Sequence, residues 1–252
     1  MVHGVDGGAG CLPIIHAKGN RALRDPITVA IDGPSGAGKS TIARAAAKRF
    51  GLLYVDTGAI YRTVAYAVRQ AGADCRDEAS VSPLLPGMHI RMAYDAAGVQ
   101  RMYLENEDVS DAIRMPEISA LASQVSAHPA VRAFLLDMQR SLAAEHSVIM
   151  DGRDIGTVVL PDAGLKIFLS ASAERRAERR WKELREKGVD ETLEQVLHDI
   201  EKRDYDDMHR AVAPLRAAED AVPIDTSDLT LEESVDAVCA EIARRFPDGG
   251  AE

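Results

Sequence analysis

Short apolar runs recur along the chain and alternate with longer stretches in which apolar residues have a helical spacing. The five runs are Ile27–Ile31, Leu53–Val55, Val148–Met150, Leu165–Leu169 and Val222–Ile224. Each has the length of a buried strand, and helical stretches separate them. Strands that alternate with helices predict a parallel sheet covered by helices on both faces. We therefore predict an α/β fold built on a five-stranded parallel sheet.

A second pattern interrupts this alternation in the middle of the chain. His89–Tyr94 and Val99–Glu105 have the character of two short strands, and the turn Asp95–Gly98 joins them. Because so few residues connect them, these strands can pair only as an antiparallel hairpin. We predict a small inserted β subdomain at about residues 81–116.

The first apolar run leads into a glycine-rich turn that fits the pattern G-x-x-x-x-G-K-S. The turn consists of Gly33, Pro34, Ser35, Gly36, Ala37, Gly38, Lys39 and Ser40, followed by Thr41. A helical pattern runs from Lys39 to Phe50, and Gly51 is placed to end it. Glycines let backbone N–H groups turn inward around phosphate oxygens, and the helix adds unpaired N–H groups at its start. Lys39 can reach the β- and γ-phosphates, and the Ser40 hydroxyl can bind Mg²⁺. This segment predicts binding of a nucleoside triphosphate and leaves the reaction open.

Two other classes of phosphate-loop protein are weaker alternatives. A GTPase usually recognises guanine through an N-K-x-D motif, which the sequence lacks, and Asp56–Gly58 follows the phosphate loop too closely to be its switch element. A motor ATPase would have a long apolar strand ending in adjacent acidic residues. Val148–Asp151 is a short version of that strand, so this alternative stays open.

Two further motifs follow predicted strands. Asp56–Arg62 opens a helix, where Asp56 or Thr57 could simply cap the helix. Asp151–Thr157 contains an Arg-Asp pair between glycines, just beyond the carboxyl end of a strand, where open α/β sheets bind ligands. An ordinary salt bridge in a turn is the alternative interpretation of that pair.

The ordered combination of these motifs resembles the bacterial cytidylate kinases, from about residue 27 to residue 245. The segments that carry the resemblance are Gly33–Thr41, Asp56–Arg62, Gly152–Thr157, Arg203–Leu215 and the helix-like stretch Ala122–Arg140. The resemblance implies transfer of the γ-phosphate of ATP to CMP or dCMP, with Mg²⁺ as the cofactor. It also implies a P-loop fold with an enlarged monophosphate-binding region and a helical lid.

The resemblance also implies where the site residues lie. The catalytic residues would be Lys39, Arg153, Arg203 and Arg210. The acceptor phosphate would be held by Thr57, Arg62, Arg153, Arg203 and Arg210. Cytosine would be recognised by Ser123, Arg132 and Asp154, and the ribose by Asp207 with Arg203 nearby. ATP would be bound by the phosphate loop, Thr41 and Arg179, and the metal by Ser40.

A dense run of Arg, Glu and Lys at Glu174–Lys187 breaks the α/β rhythm. Charged pairs at three- and four-residue spacing stabilise any exposed helix, so the run alone does not require a function. The family resemblance implies a mobile lid over ATP at about residues 174–190. Its candidate phosphate contacts are Arg175, Arg176, Arg179 and Arg180, and the sequence does not decide among them.

The residue types suit an acceptor that is itself a phosphate. Such an acceptor is ionised near neutral pH, so no side chain has to remove a proton. Arginine is well suited because its planar guanidinium binds phosphate oxygens in pairs and keeps its charge. Two alternatives remain: another small P-loop kinase acting on UMP, AMP or a hydroxylated metabolite such as shikimate, or a nucleotide-binding regulatory protein. A hydroxyl acceptor would need a carboxylate base, for which Asp56 or Asp154 could serve.

Composition and charge narrow the class further. The 252 residues suit one large domain, and the formal net charge of −10 does not favour binding to a nucleic acid polymer or an anionic membrane. No apolar run approaches the length of a transmembrane helix. Cys11, Cys75 and Cys239 lie far apart without a C-x-x-C pair, so we expect a reducing, cytoplasmic environment.

Residues 1–25 lack the long apolar core of a signal peptide and are predicted to be a mobile extension. The kinase domain is then expected at residues 26–248. We expect a monomer, because no long apolar helix face lacks a plausible role in the core. The small molecules ATP and CMP or dCMP are its expected partners.

Overall fold

The structure, a computed structural model, describes residues 26–186 and 188–247. The predicted extension 1–25, residue 248 of the predicted domain and Lys187 of the charged run lie outside the described residues. The strands are β1 Thr28–Asp32, β2 Leu53–Asp56, β3 Ile90–Tyr94, β4 Gln100–Leu104, β5 Glu107–Asp108, β6 Val148–Gly152, β7 Leu165–Ser170 and β8 Val222–Asp225. The α-helices are α1 Lys39–Phe50, α2 Thr57–Gln70, α3 Glu78–Val81, α4 Pro116–Val125, α5 Pro129–Glu145, α6 Ala173–Glu186, α7 Leu193–His209 and α8 Leu231–Arg245.

The five predicted strands form one sheet in the order β2-β6-β1-β7-β8, with every pair parallel. The predicted α/β fold is therefore confirmed. The connection from β1 leads to β2 on one side of the sheet, whereas the connection from β6 crosses β1 to β7 on the other side, so the strand order reverses at β1. That arrangement creates a crevice at the carboxyl ends of the central strands, where open α/β sheets bind ligands.

Alternate residues of β1 explain why helices cover both faces of the sheet. Val29 and Ile31 pack in a cluster with apolar residues of α1 and α8. The side chain of Ala30 points to the opposite face of the sheet and packs with Leu142 and Ala143 of α5. The three strand residues are fully buried. Both faces of the central strand are thus occupied, as the continuous apolar run predicts.

The predicted hairpin is also confirmed. β3 and β4 pair antiparallel from Ile90 opposite Leu104 to Tyr94 opposite Gln100, and the two-residue β5 adds a third strand. Met102 and Leu104 pack in a cluster with α2, α4 and α5. The small sheet is therefore held against the helices that follow β2.

The helices α6 and α7 form a pair with a small apolar cluster of its own. The cluster contains Ala177 and Leu184 from α6 with Val196 and Ile200 from α7. α7 begins with a capping box, in which Thr192 and Gln195 each bond to the backbone of the other. The charged run therefore lies on a helix that has a core-facing side, and its function as a lid stays a prediction. In the part of the chain that the structure describes, no helix is both long and apolar enough to span a bilayer.

Candidate active site

The phosphate loop has a backbone that only glycine can adopt. Gly36 and Gly38 have φ angles of 77° and 84°, in the left-handed region. A Cβ atom on Gly33 would lie 1.9 Å from the carbonyl oxygen of Leu169, on the neighbouring strand β7. α1 begins at Lys39, so its first N–H groups face the loop. The loop and the helix start together form a concave set of donors suited to phosphate oxygens.

Lys39 lies beneath this loop and is buried. Its Nζ donates to the carbonyl oxygen of Pro34 at 2.6 Å. Burial and the nearby positive charge of Arg153 lower the pKa of Lys39, while Asp151 and Asp32 act in the opposite direction. The nearby carboxylates therefore do not fully offset the cost of burying the positive charge of Lys39, and a polyanionic ligand would stabilise that charge.

Ser40 and Asp151 form the part of the site that fits a divalent cation. The Ser40 hydroxyl donates to Asp151 Oδ2 at 2.8 Å, and the Tyr54 hydroxyl donates to Asp151 Oδ1 at 2.9 Å. Burial raises the pKa of Asp151, and the nearby Asp56 raises it further. Hydroxyl and carboxylate oxygens are ligands that Mg²⁺ prefers. Among the described residues no group of three or more His, Cys, Asp or Glu side chains could hold a metal ion, so substrate phosphates and waters would have to supply the other ligands.

Asp32, at the end of β1, fixes the loop that follows β6. Its carboxylate accepts from the backbone N–H groups of Ile155 at 2.8 Å and Gly156 at 2.7 Å. Burial raises its pKa to about 6, although these hydrogen bonds act to lower it. Because Arg153 and Asp154 immediately precede the two bonded N–H groups, Asp32 positions both. Sequence reasoning missed Asp32, and it noted Asp151 within a motif without assigning it to the site. The available signal was an acidic residue at the carboxyl end of a central strand.

Three arginines that were predicted to bind the acceptor phosphate lie close together. Burial lowers the pKa of Arg203, and the positive charges of Arg153 and Arg62 lower it further. Arg153 is paired with Asp207 at 2.7 Å and Arg62 with Asp56 at 2.8 Å. In residues 26–186 and 188–247, the buried Nε atoms of Arg62 and Arg203 have no hydrogen-bond partner. Unused buried donors of this kind favour binding of an anion.

The residues predicted to read cytosine also form one connected group. Asp154 is buried and accepts from Arg132, and Arg210 Nη2 approaches its other oxygen at 3.3 Å. Arg132 donates to the Ser126 carbonyl oxygen at 3.1 Å, and the Ser126 hydroxyl donates to the Ser123 carbonyl oxygen at 2.9 Å. A carboxylate and a guanidinium are thus held next to each other at the end of a chain of contacts that reaches Ser123.

The remaining acceptor-side residues are engaged with the protein itself. Thr57 is buried at the start of α2, and its hydroxyl donates to the Asp151 carbonyl oxygen at 2.7 Å. Arg210 Nε donates to the Ala213 carbonyl oxygen at 2.6 Å. Burial acts to raise the pKa of Asp207, but Arg153, Arg203 and Arg210 hold it below its ordinary value. The predicted roles of these residues toward phosphate and ribose therefore stay predictions.

The four arginines of α6 that were predicted as candidate phosphate contacts differ in what they contact. Arg176 is buried and bonds to the carbonyl oxygens of Ser35 at 3.0 Å and Ala171 at 2.8 Å, and to Asp204 at 2.6 Å. Arg179 Nη2 donates to the Thr226 carbonyl oxygen at 2.7 Å. Arg175 and Arg180 make half-exposed pairs with acidic residues. Arg176 therefore connects α6 with the phosphate loop, whereas contact of Arg179 with ATP stays a prediction.

A family model and several known proteins are similar to this chain over most of its length. A family model described as cytidylate kinase matches residues 29–244. Proteins named cytidylate kinase from Azotobacter vinelandii and Geobacter sp. are 46% and 47% identical to the chain; the matches cover 87% and 88% of this chain and 96% and 95% of the relatives. A solved shikimate kinase from Bacteroides thetaiotaomicron is 12% identical with a TM-score of 0.43, covering 86% of this chain and 98% of that one. The sequence relatives, not that weak structural likeness, decide the family.

Proposed function

The chain belongs to the cytidylate kinase family, and we propose how its residues carry out the reaction of that family. The protein is an ATP-dependent phosphotransferase whose acceptor is CMP. CMP and dCMP share the base and the phosphate, so we include dCMP as an acceptor. The products are ADP and CDP or dCDP.

The observation that carries the assignment of residues is the arginine group on the acceptor side. Arg62, Arg153 and Arg203 lie close together, and among the described residues the buried Nε atoms of Arg62 and Arg203 have no hydrogen-bond partner. Arg153 directly follows β6 at the carboxyl edge of the sheet, and its positive charge lowers the pKa of Lys39 in the phosphate loop. Two polyanions can meet there only if positive charge is supplied in advance. We assign these three arginines to the acceptor phosphate and to charge on the transferred group, with Arg210 assisting.

On the donor side, the phosphate loop and Lys39 bind the ATP phosphates. The backbone N–H groups hold the phosphate oxygens, and Lys39 exchanges its bond to Pro34 for the β- and γ-phosphates. We place Mg²⁺ at Ser40 with Asp151 as the adjacent carboxylate, where it would neutralise phosphate charge. Closure over ATP of the lid predicted at about residues 174–190 would exclude water, so that the phosphoryl group reaches the acceptor instead.

Base selection is assigned to Asp154, Arg132 and Ser123. Cytosine has an amino donor at N4 and acceptors at N3 and O2. The Asp154 carboxylate can accept from N4, while Arg132 and Ser123 can donate to the other edge. Uracil places a carbonyl oxygen at C4 opposite the same carboxylate, and two acceptors facing each other in a buried site cost about 1–3 kcal/mol. UMP is therefore expected to be a poor substrate.

A coupled assay with Mg²⁺-ATP and one acceptor at a time tests this function. CMP, dCMP, UMP, AMP and shikimate serve as acceptors, and ADP formation is recorded. We expect rapid ADP formation with CMP and dCMP and little with the others. Turnover led by another acceptor would contradict the acceptor assignment, and ADP formation that needs no acceptor would point to a nucleotide-hydrolysing regulatory protein.

We also propose that the protein works as a monomer in the cytoplasm, on the basis of its cysteine pattern and the absence of an unexplained apolar helix face in the sequence. Light scattering at working concentration would test the monomer. A mass of twice the chain's 27.2 kDa would contradict it.

A further inference from the structure

Gln100 is a buried polar residue that no part of the assignment above uses. It is the first residue of β4, in the small inserted sheet. Its Oε1 accepts from the backbone N–H of Asp56 at 2.8 Å, and its Nε2 donates to the Asp56 carbonyl oxygen at 3.2 Å. The side-chain amide carries a donor and an acceptor on one rigid group, so it can bind both backbone groups of a single residue.

A second contact from the same hairpin end supports the attachment. Tyr94, which lies opposite Gln100 in the β3–β4 pair, donates from its hydroxyl to the Tyr54 carbonyl oxygen at 2.7 Å. Gln100 and Tyr94 thus tie the inserted sheet to two residues at the end of β2. The residues they join are 44 and 40 positions apart, so this is a tertiary attachment of the insert to the site.

Asp56 holds an arginine of the acceptor side in place. Its Oδ1 accepts from the Ala59 N–H at 2.9 Å and so caps α2, while its Oδ2 pairs with Arg62 Nη2 at 2.8 Å. A Cβ on Gly58 would lie 3.1 Å from Arg62 Nη1, so the guanidinium lies directly against this first turn. Fixing the Asp56 backbone therefore fixes the carboxylate that aligns Arg62.

We propose that Gln100 is a positioning residue for the acceptor phosphate, acting from the inserted sheet through Asp56 on Arg62; this rests on the proposed function of Arg62. The inserted sheet then contributes to acceptor binding without touching the acceptor phosphate. Among the described residues the Gln100 side chain bonds to Asp56 and Met102 and not to the phosphate loop, so we expect its effect to fall mainly on the acceptor.

Steady-state kinetics of Gln100→Leu and Gln100→Glu test the proposal, with Gln70→Leu as the control at an exposed glutamine of α2. Leucine removes both hydrogen bonds to Asp56, and we expect the KM for CMP to rise about tenfold while the KM for ATP stays within about twofold. Glutamate keeps the acceptor for the Asp56 N–H but, when ionised, sets a negative oxygen against the Asp56 carbonyl. Protonation restores a donor, so the KM of this variant relative to wild type should improve as pH falls from about 8 to 6.

Hydrogen exchange followed by mass spectrometry gives a readout that does not depend on catalysis. We expect faster exchange of the Asp56 amide and the first turn of α2 in Gln100→Leu, and no change there in Gln70→Leu. Equal rises in both KM values, no rise in either, or unchanged exchange at Asp56 would overturn the proposal. If wild type failed to use CMP, the proposed function would fall, while the exchange result would still decide whether Gln100 fixes Asp56.

Discussion

The donor and acceptor sides of the site are built in different ways. The donor side consists mainly of backbone, and its essential residues lie between Gly33 and Ser40. The acceptor side consists of side chains from α2, α4, α5, α7 and the loop after β6, and most of its arginines are already paired with carboxylates. One side is formed by a local turn and a helix start, the other by tertiary packing.

The two sides differ in what a ligand has to displace when it binds. The phosphate loop presents N–H groups that a ligand can use at once. On the acceptor side, the proposed contacts require CMP to replace existing partners, since Arg153 is bound to Asp207 and Arg132 to Asp154. Removing one member of a buried pair leaves an uncompensated charge, so substitutions there affect both binding and the local fold.

The largest effect is expected from Lys39→Met on the donor side. The variant keeps the length of the side chain and removes the charge that meets the transferred phosphoryl group, so kcat/KM should fall about 10³-fold. CMP binding measured by calorimetry should change little. Lys48→Met, at an exposed position of the same helix, is the control and should behave as wild type. Comparable loss in both variants would contradict the assignment of Lys39.

Arg153→Met tests the acceptor side. It removes a guanidinium from the phosphate group and leaves Asp207 without its partner, so we expect kcat/KM for CMP to fall about 10²-fold. The KM for ATP should stay near the wild-type value in the same assay. Arg244→Met, which breaks an exposed pair with Glu241, should leave both parameters unchanged. A main effect on the KM for ATP would place Arg153 on the donor side instead.

We expect a smaller effect at Asp32, in the dependence of the free energy of unfolding on pH. Burial raises its pKa from 3.8 to about 6, so the folded state binds this proton more tightly than the unfolded state. The contribution of Asp32 to stability therefore increases as pH falls from 7 to 5, by about 1 kcal/mol. Urea unfolding of wild type and Asp32→Asn at pH 5, 6 and 7 measures the difference between them. A difference that stayed constant, or moved in favour of Asn at low pH, would refute this pKa assignment.

The sequence predicts the fold of the phosphate loop and its helix well, because the pattern that specifies them is local. The helix Lys39–Phe50 has the predicted bounds, since a glycine-rich turn precedes it and Gly51 ends it in a left-handed conformation. All five strands of the main sheet were predicted from apolar runs, but the predictions for β1 and β2 stopped before Asp32 and Asp56. An acidic residue does not continue an apolar pattern, although it belongs at the ligand-binding end of a parallel strand.

The supporting residues of the site could not be predicted because their partners are far away in the chain. Asp32 bonds to residues 123 and 124 positions later, and Gln100 to one 44 positions earlier. The position of Asp32 at the end of a central strand marks it as a site residue, but it does not show which distant backbone Asp32 holds, and Gln100 carries no local signal at all. The arginines Arg62, Arg153 and Arg203 were found through the family resemblance, and the structure brings them close together.

Recognition of cytosine by Asp154 decides which nucleotide the site accepts. The ratio of kcat/KM for CMP to kcat/KM for UMP tests this recognition most directly. Asp154→Asn replaces an acceptor with a group that can also donate to the C4 carbonyl of uracil, so the ratio should fall roughly ten- to a hundredfold. Asp162→Asn, at an exposed position after the same strand, should keep the wild-type ratio, and melting temperatures check that both variants fold. An equal loss of kcat/KM on CMP and UMP in a folded Asp154→Asn would contradict base recognition by Asp154.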